Sequence, residues 1–198
     1  MAMIGRVSIV AVALFAATAS PARADAGAEP RGWHAWRPRV DVEPAAWFLH
    51  GYSVHVGVQP PAFPRVLLST GAYAFDMPAM LVTFTGEDPD AWDGRLRLGA
   101  GVFADVFVGE HVDRGWVLGA QLGFQRYEVV DRATAATMRF DCALLLLRAG
   151  YEWHPRGVGG YIFPWLGAAI TPEVAGDSGA YDPRPVVPYL TLDLGWRF

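Results

Sequence analysis

The sequence predicts an all-β chain folded as an antiparallel up-and-down β-barrel of eight strands. Three observations carry that expectation. Apolar residues recur at every second position in segment after segment, most cleanly as Leu96, Leu98, Ala100, Val102, Ala104, Val106 and Val108 against Arg95, Arg97, Gly99, Gly101, Phe103, Asp105 and Phe107. An amphipathic helix would repeat at three and four, so this period of two belongs to strands. Of the 198 residues 53% are hydrophobic, and mean hydropathy is +0.20, yet after the N-terminal leader no apolar run reaches the ~20 residues of a spanning helix. The 22 glycines and 15 prolines supply turns and close approaches in a sheet rather than helix interiors.

The chain opens with a short basic stretch, Met1 to Arg6, then an apolar run from Val7 to Ala17, then Ala22-Arg23-Ala24 before Asp25. Those are the parts of a secretory signal peptide, so residues 1–24 are expected to be removed, residues 25–31 to form an N-terminal lead, and residues 32–198 to form the barrel domain. Removing the two leader arginines takes the formal charge from −4 to −6. An acidic exported chain without a basic tract argues against nucleic acid as a partner. The single cysteine, Cys142, excludes an internal disulfide.

The elements follow in order. Residues 32–42 place Trp36, Pro38, Val40 and Val42 on one parity and Arg37, Arg39 and Asp41 on the other, with Pro38 removing a ladder donor. Glu43 to Ala46 reads as a tight connection, with a short helix from Pro44 to His50 as the alternative. Residues 47–58 alternate Tyr52, Val54, Val56 and Val58 against Gly51, Ser53, His55 and Gly57. The prolines at 60, 61 and 64 then make a stiff connection. Residues 65–75 set Val66, Leu68, Thr70, Ala72 and Ala74 against Arg65, Leu67, Ser69, Gly71, Tyr73 and Phe75. Residues 78–92 read as a long irregular loop, 93–108 as a strand, and 109–115 as a compact turn. Residues 116–128 alternate Trp116, Leu118, Ala120, Leu122 and Phe124 with Gly119, Gln121, Gly123, Gln125 and Tyr127. After a loop at 129–137, residues 138–153 are ambiguous because Leu144 to Leu147 is continuously apolar. Placing Ala143, Leu145, Leu147, Ala149, Tyr151 and Trp153 outward keeps Arg148 and Glu152 inside. A turn at 154–159, a strand at 160–171, a loop at 172–185 and a strand at 186–198 complete the set.

The last strand reads V-V-P-Y-L-T-L-D-L-G-W-R-F: Val186, Pro188, Leu190, Leu192, Leu194, Trp196 and Phe198 share one parity up to the final residue. An amphipathic closing strand ending on an aromatic resembles that of small bacterial outer-membrane β-barrels of the OmpA/OmpX-like size class. The resemblance implies an outer-membrane location in a Gram-negative envelope, and Trp196 and Phe198 as an assembly signal read by the barrel-insertion machinery. It also implies outer-membrane lipid and lipopolysaccharide as partners of a monomer. With the C-terminus periplasmic, the connections at 59–64, 109–115 and 154–159 are periplasmic and those at 78–92, 129–137 and 172–185 external, which gives the short inner turns and longer outer loops of such barrels. A secreted β-sandwich or lipocalin-like barrel with ordinary core aromatics is the alternative.

Function is less legible. The inward parity gathers Arg65, Arg95, Arg97, Asp105, Gln121, Gln125, Arg148, Glu152, Asp193 and Arg197, expected as a polar network filling the lumen, because eight strands enclose a width that side chains can fill. A structural or surface-interaction role through the external loops is the first reading; a lipid-modifying enzyme and a narrow small-solute pore are the alternatives. Ser53 and His55 are the one pair of nucleophile and base type on a shared face, without a placed carboxylate. His34, His50, His111 and His154 are scattered with no metal-ligand spacing, so no metal or other cofactor is expected. Gly99-Ala100-Gly101 lies inside a strand with no helix after it and is not a nucleotide loop.

Overall fold

The computed structural model describes residues 36–155 and 159–198; the expected signal peptide, the lead at 25–31 and His34 lie outside the described residues. Among the described residues nine strands and two short helices follow one another: β1 (Arg37–Val42), α1 (Pro44–Phe48), β2 (Tyr52–Gln59), β3 (Val66–Asp76), α2 (Ala79–Phe84), β4 (Trp92–Val108), β5 (Gly115–Asp131), β6 (Thr137–Glu152), β7 (Gly160–Ile170), β8 (Glu173–Asp177) and β9 (Val186–Arg197). Every pairing is antiparallel. Each strand pairs with the next from β1 to β7, β7 pairs with β9, and β9 returns to β1 through Arg39↔Arg197 to Val42↔Leu194. That is a closed, eight-stranded, up-and-down barrel. The short β8 is an addition to the ring, pairing with β6 above the end of β7 from Arg139↔Asp177 to Cys142↔Glu173.

The termini of the ring, Arg37 and Arg197, share one end with the connections β2–β3, β4–β5 and β6–β7. At the β4–β5 turn Gly109 and Gly115 hold φ of 104° and 102°, a left-handed backbone that glycine adopts without a Cβ clash. The opposite end carries α1, α2, the Arg132–Ala136 turn and the 171–185 segment. The first connection takes the helical alternative, so the strand expected from residue 47 begins at Tyr52. Pro38 sits in β1, paired with Val58, and Pro44 opens α1 at the first-turn position where its missing N–H costs nothing. The 78–92 loop contains α2, whose Val82 is buried, and the 172–185 loop contains β8.

One register differs from the expected alternation. Leu96 pairs with Tyr127 and Leu98 with Arg126, leaving Arg97 as the extra residue of a β-bulge; on the other side Phe75 pairs with Leu96 and Tyr73 with Gly99. The bulge turns both Arg97 and Leu98 outward, so parity reverses on its N-terminal side. Leu96 is therefore inside at 1% exposure, while the Arg95 and Arg97 side chains are 45% and 48% exposed. Strict alternation had put the two arginines in the lumen.

The core lies inside the ring in two clusters. One packs Leu67, Phe107, Val117, Leu144, Leu146, Tyr161, Phe163 and Trp165 toward the short-turn end and middle. The other packs Val82, Trp92, Val129, Phe140, Cys142 and Tyr181 under the long-loop end. Cys142, the single cysteine, is buried in this second cluster.

Candidate functional site

Inside the ring, charged side chains form two groups toward the short-turn end and middle. Arg39 donates from Nη2 to Asp41 Oδ1 at 2.7 Å, from Nε to Asp41 Oδ2 at 3.0 Å, and from Nη1 to Glu152 Oε2 at 2.8 Å. Glu152 also accepts from Arg197 and lies 2.7 Å from His154 Nε2. Further along, Arg148 is bidentate to Asp105, with Nε to Oδ1 at 3.0 Å and Nη2 to Oδ2 at 2.6 Å; its Nη1 is 3.7 Å from Asp193 Oδ2, which also accepts from Trp165 Nε1 at 3.1 Å. Fork geometry of this kind is the strong form of an ion pair.

Aromatic rings pack against the guanidiniums. Arg39 stands 4.3 Å from the Tyr161 centroid, Arg148 4.8 Å from Phe103 and 5.3 Å from Trp165, and Arg197 5.3 Å from Phe107. Arginine tolerates such packing because its planar cation is weakly hydrated and stacks on π faces.

A cavity of about 60 Å³ follows, bordered by Glu43, His55, Tyr73, Gln125, Arg148 and Tyr189. Glu43 accepts from Thr191 Oγ1. Gln121 and Gln125 donate to the Tyr73 hydroxyl at 3.4 and 3.1 Å, and Tyr127 donates to Gln125 Oε1 at 2.7 Å. Among the described residues Ser53 Oγ and His55 Nε2 are buried without a hydrogen-bond partner.

Of the residues the sequence nominated for the lumen, the structure brings Asp105, Arg148 and Asp193 into one group, Glu152 and Arg197 into another, and Gln121 and Gln125 onto Tyr73. Arg65 instead caps carbonyls at the short-turn end, donating to Gly109 O at 2.7 Å. Arg95 and Arg97 stand outside the ring, against Asp76 and Glu128. Sequence reasoning passed over Arg39 and Asp41 because Pro38 cast doubt on the strand, although their shared parity was the signal. Glu43, in a presumed turn, carried no periodic signal. Ser53 and His55 face inward, away from the outer wall. Among the described residues no three His, Cys, Asp or Glu side chains gather as a metal site.

The outer wall is the other functional surface. Val40 and Val42 on β1, Tyr52 to Val58 on β2, Val66 to Ala72 on β3, Leu98 to Val108 on β4, Trp116 to Phe124 on β5, Ala143 to Trp153 on β6, Ile162 to Ile170 on β7 and Val186 to Trp196 on β9 supply every second residue to it. No charged side chain is among those positions. From Ala143 to Trp153 the band runs roughly 33 Å along the strand, or about 25 Å along the axis at a tilt near 40°. Trp116, Tyr151, Trp153, Trp196 and Phe198 are exposed at its short-turn edge.

No family model and no curated protein matches the chain. Among solved structures it is similar to the crystal structure of Neisserial surface protein A (NspA), at 10% identity over 83% of this chain and 97% of that one, with a TM-score of 0.49.

At the opposite end two segments meet across the mouth of the ring. The Tyr181 hydroxyl is 3.1 Å from Thr85 Oγ1, Arg184 N–H donates to Thr85 O at 2.6 Å, and Asp182 N–H donates to Glu87 Oε1 at 3.0 Å. The Tyr181 ring packs edge-on to Trp92 at 5.4 Å. Burial pushes the Tyr181 hydroxyl above its ordinary value, against the opposing pull of the Thr85 hydrogen bond.

Proposed function

We propose that the chain is an integral outer-membrane barrel with a filled lumen, acting as a structural or surface-interaction protein through the loops at its α2 and β8 end. The observation that carries this reading is the charge-free apolar band on the outside of a closed ring. A closed barrel leaves no unpaired sheet edge in hydrocarbon, and an apolar exterior about 25 Å tall with an aromatic girdle matches what lipid requires. A water-soluble barrel would put polar side chains outside and apolar ones within. Here the inside carries Arg39, Asp41, Asp105, Arg148, Glu152 and Asp193, all buried.

The exported leader read in the sequence supports the same location, and the short turns beside the C-terminus support a periplasmic position for that end. The paired charges and the small volume of the cavity support a filled interior rather than an open channel. Ser53 and His55 are buried inside the ring, away from the wall that lipid would touch, which favours the structural reading over the lipid-modifying one.

The test is fractionation of expressing cells together with gel mobility of unheated and boiled samples. Recovery with outer membranes and a heat-dependent mobility shift are expected. A protein recovered in the soluble periplasmic fraction overturns the reading.

A further inference from the structure

We propose that the outer face of β4, β5 and β6, immediately above the apolar band, is a headgroup site for a phosphorylated outer-leaflet glycolipid, held by Arg97, Arg126 and Arg139. The inference rests on the membrane reading above and names the lipid chemistry that this face would select.

Strand register builds the site. Asp76↔Arg95, Arg95↔Glu128, Glu128↔Arg139 and Arg139↔Asp177 are successive cross-strand partners, so opposite charges alternate in one row across β3, β4, β5, β6 and β8. One step lower, Arg126 pairs with Asp141 on β6 and with Leu98 on β4. Below that the wall is apolar, beginning with Ala100, Phe124 and Ala143. The β4 bulge matters here: by turning Arg97 and Leu98 outward together, it puts a guanidinium and an aliphatic side chain side by side at the boundary. A phosphorylated lipid presents the same two chemistries in the same order.

The arginines are not spent on one another's acids. Arg126 gives Nε and Nη2 to Asp141 at 2.8 and 2.9 Å. Arg139 gives only Nε to Glu128, at 2.7 Å. Arg97 makes no hydrogen bond among the described residues and approaches Glu128 Oε1 no closer than 3.8 Å. A guanidinium has five donors, so most of those on Arg97 and Arg139 stay open.

The side chains are 48%, 53% and 73% exposed for Arg97, Arg126 and Arg139. They border an open groove of about 460 Å³ together with Glu128 and Asp141. Among the residues that line the groove three cations stand against two carboxylates, while the whole row, with Arg95, Asp76 and Asp177 at its ends, is balanced in charge. Exposed pairs of this kind stabilise a fold little, because solvent screens them, so stability gives little reason for the arrangement. Planar guanidiniums matched to phosphate oxygens give a better one.

The experiment uses the mature, refolded barrel. Insertion into neutral phosphatidylcholine vesicles with a heat-dependent mobility shift is checked first, and failure there counts against the membrane reading. Native mass spectrometry of the detergent-held protein is then titrated with bisphosphorylated lipid A and with the same lipid after phosphatase treatment. The phosphorylated form is expected to bind the native chain at least about tenfold more tightly. Arg97→Gln/Arg139→Gln is expected to bring it down to the level of the dephosphorylated lipid, and excess inorganic phosphate is expected not to displace it.

Equal binding of the two lipids by the native chain overturns the site, and that arm decides the matter even if the double variant fails to fold. Full binding by a folded double variant also overturns it. Displacement by inorganic phosphate does the same, by showing a free-anion site in place of a lipid one.

Discussion

Arg148 and Asp105 are joined by two parallel hydrogen bonds, at 3.0 and 2.6 Å, although 43 residues of chain separate them. Both are buried, and Asp193 stands 3.7 Å from the same guanidinium. Removing one partner strands a charge in a closed interior. Arg148→Ala, which leaves Asp105 and Asp193 without their cation, is therefore expected to cost roughly 3–5 kcal/mol, whereas Asp105→Leu/Arg148→Met, which leaves only Asp193, is expected to cost less than Arg148→Ala. The urea concentration at which the heat-dependent mobility form disappears is the measure. A double variant weaker than Arg148→Ala contradicts the pairing.

Gly119 makes room for that pair. A Cβ there would lie 1.8 Å from Asp105 Oδ1 and 3.3 Å from Arg148 Cγ. Gly119→Ala is expected to lose about 1–3 kcal/mol through overpacking, with Gly160→Ala as the comparison, because its Cβ would meet nothing closer than 3.4 Å. Equal urea midpoints for the two variants would remove the steric argument.

The barrel was legible because its physics is local: a period of two, turns marked by proline and glycine, and a charge that cannot face lipid each act within a few residues. The choice of Ala143, Leu145 and Leu147 as outward came from that last rule, and Leu144, Leu146 and Arg148 are buried. The bulge was not legible. A single extra residue at Arg97 leaves the letter pattern of β4 unbroken, and only pairing with Tyr127 and Arg126 on β5 shows the shift. Arg39 escaped for a related reason: its partner Glu152 lies 113 residues away, and its strand is short and contains proline.

The bulge itself yields a labelling test. Arg95→Cys in a Cys142→Ser background is expected to react with a membrane-impermeant maleimide on intact cells, and Leu96→Cys to stay protected. Strict alternation through β4 would reverse the two results.

Tyr181 ties the 171–185 segment to Thr85, and its hydroxyl is raised above the ordinary value of 10.0, first by burial. Folding thus favours the neutral phenol. The associated stability is fully present below about pH 10 and is lost as pH rises through the raised value. Tyr181→Phe keeps the ring but removes the titration. The native chain is therefore expected to match or exceed Tyr181→Phe in urea midpoint near neutrality and to fall below it in strong alkali. A gap between the two that does not change with pH would rule out the linkage.

The final residue is the last prediction. Phe198 is exposed on the outer parity beyond Trp196, and its N–H donates to Pro38 O at 3.0 Å, so the terminal residue is also the last rung of the β9–β1 closure. Two effects of deleting it can be told apart. If Phe198 and Trp196 form the signal that the insertion machinery reads, Phe198→Ala, which keeps the backbone rung and removes only the ring, is expected to lower membrane levels in cells as sharply as deletion does. Refolding of the purified variant into vesicles should then be near normal, because no insertion machinery is present there. If the rung alone matters, Phe198→Ala should assemble in cells like the native chain and only the deletion should suffer. Measuring outer-membrane levels and in vitro refolding side by side for both variants decides between a terminal aromatic that is recognised and one that merely closes the ring.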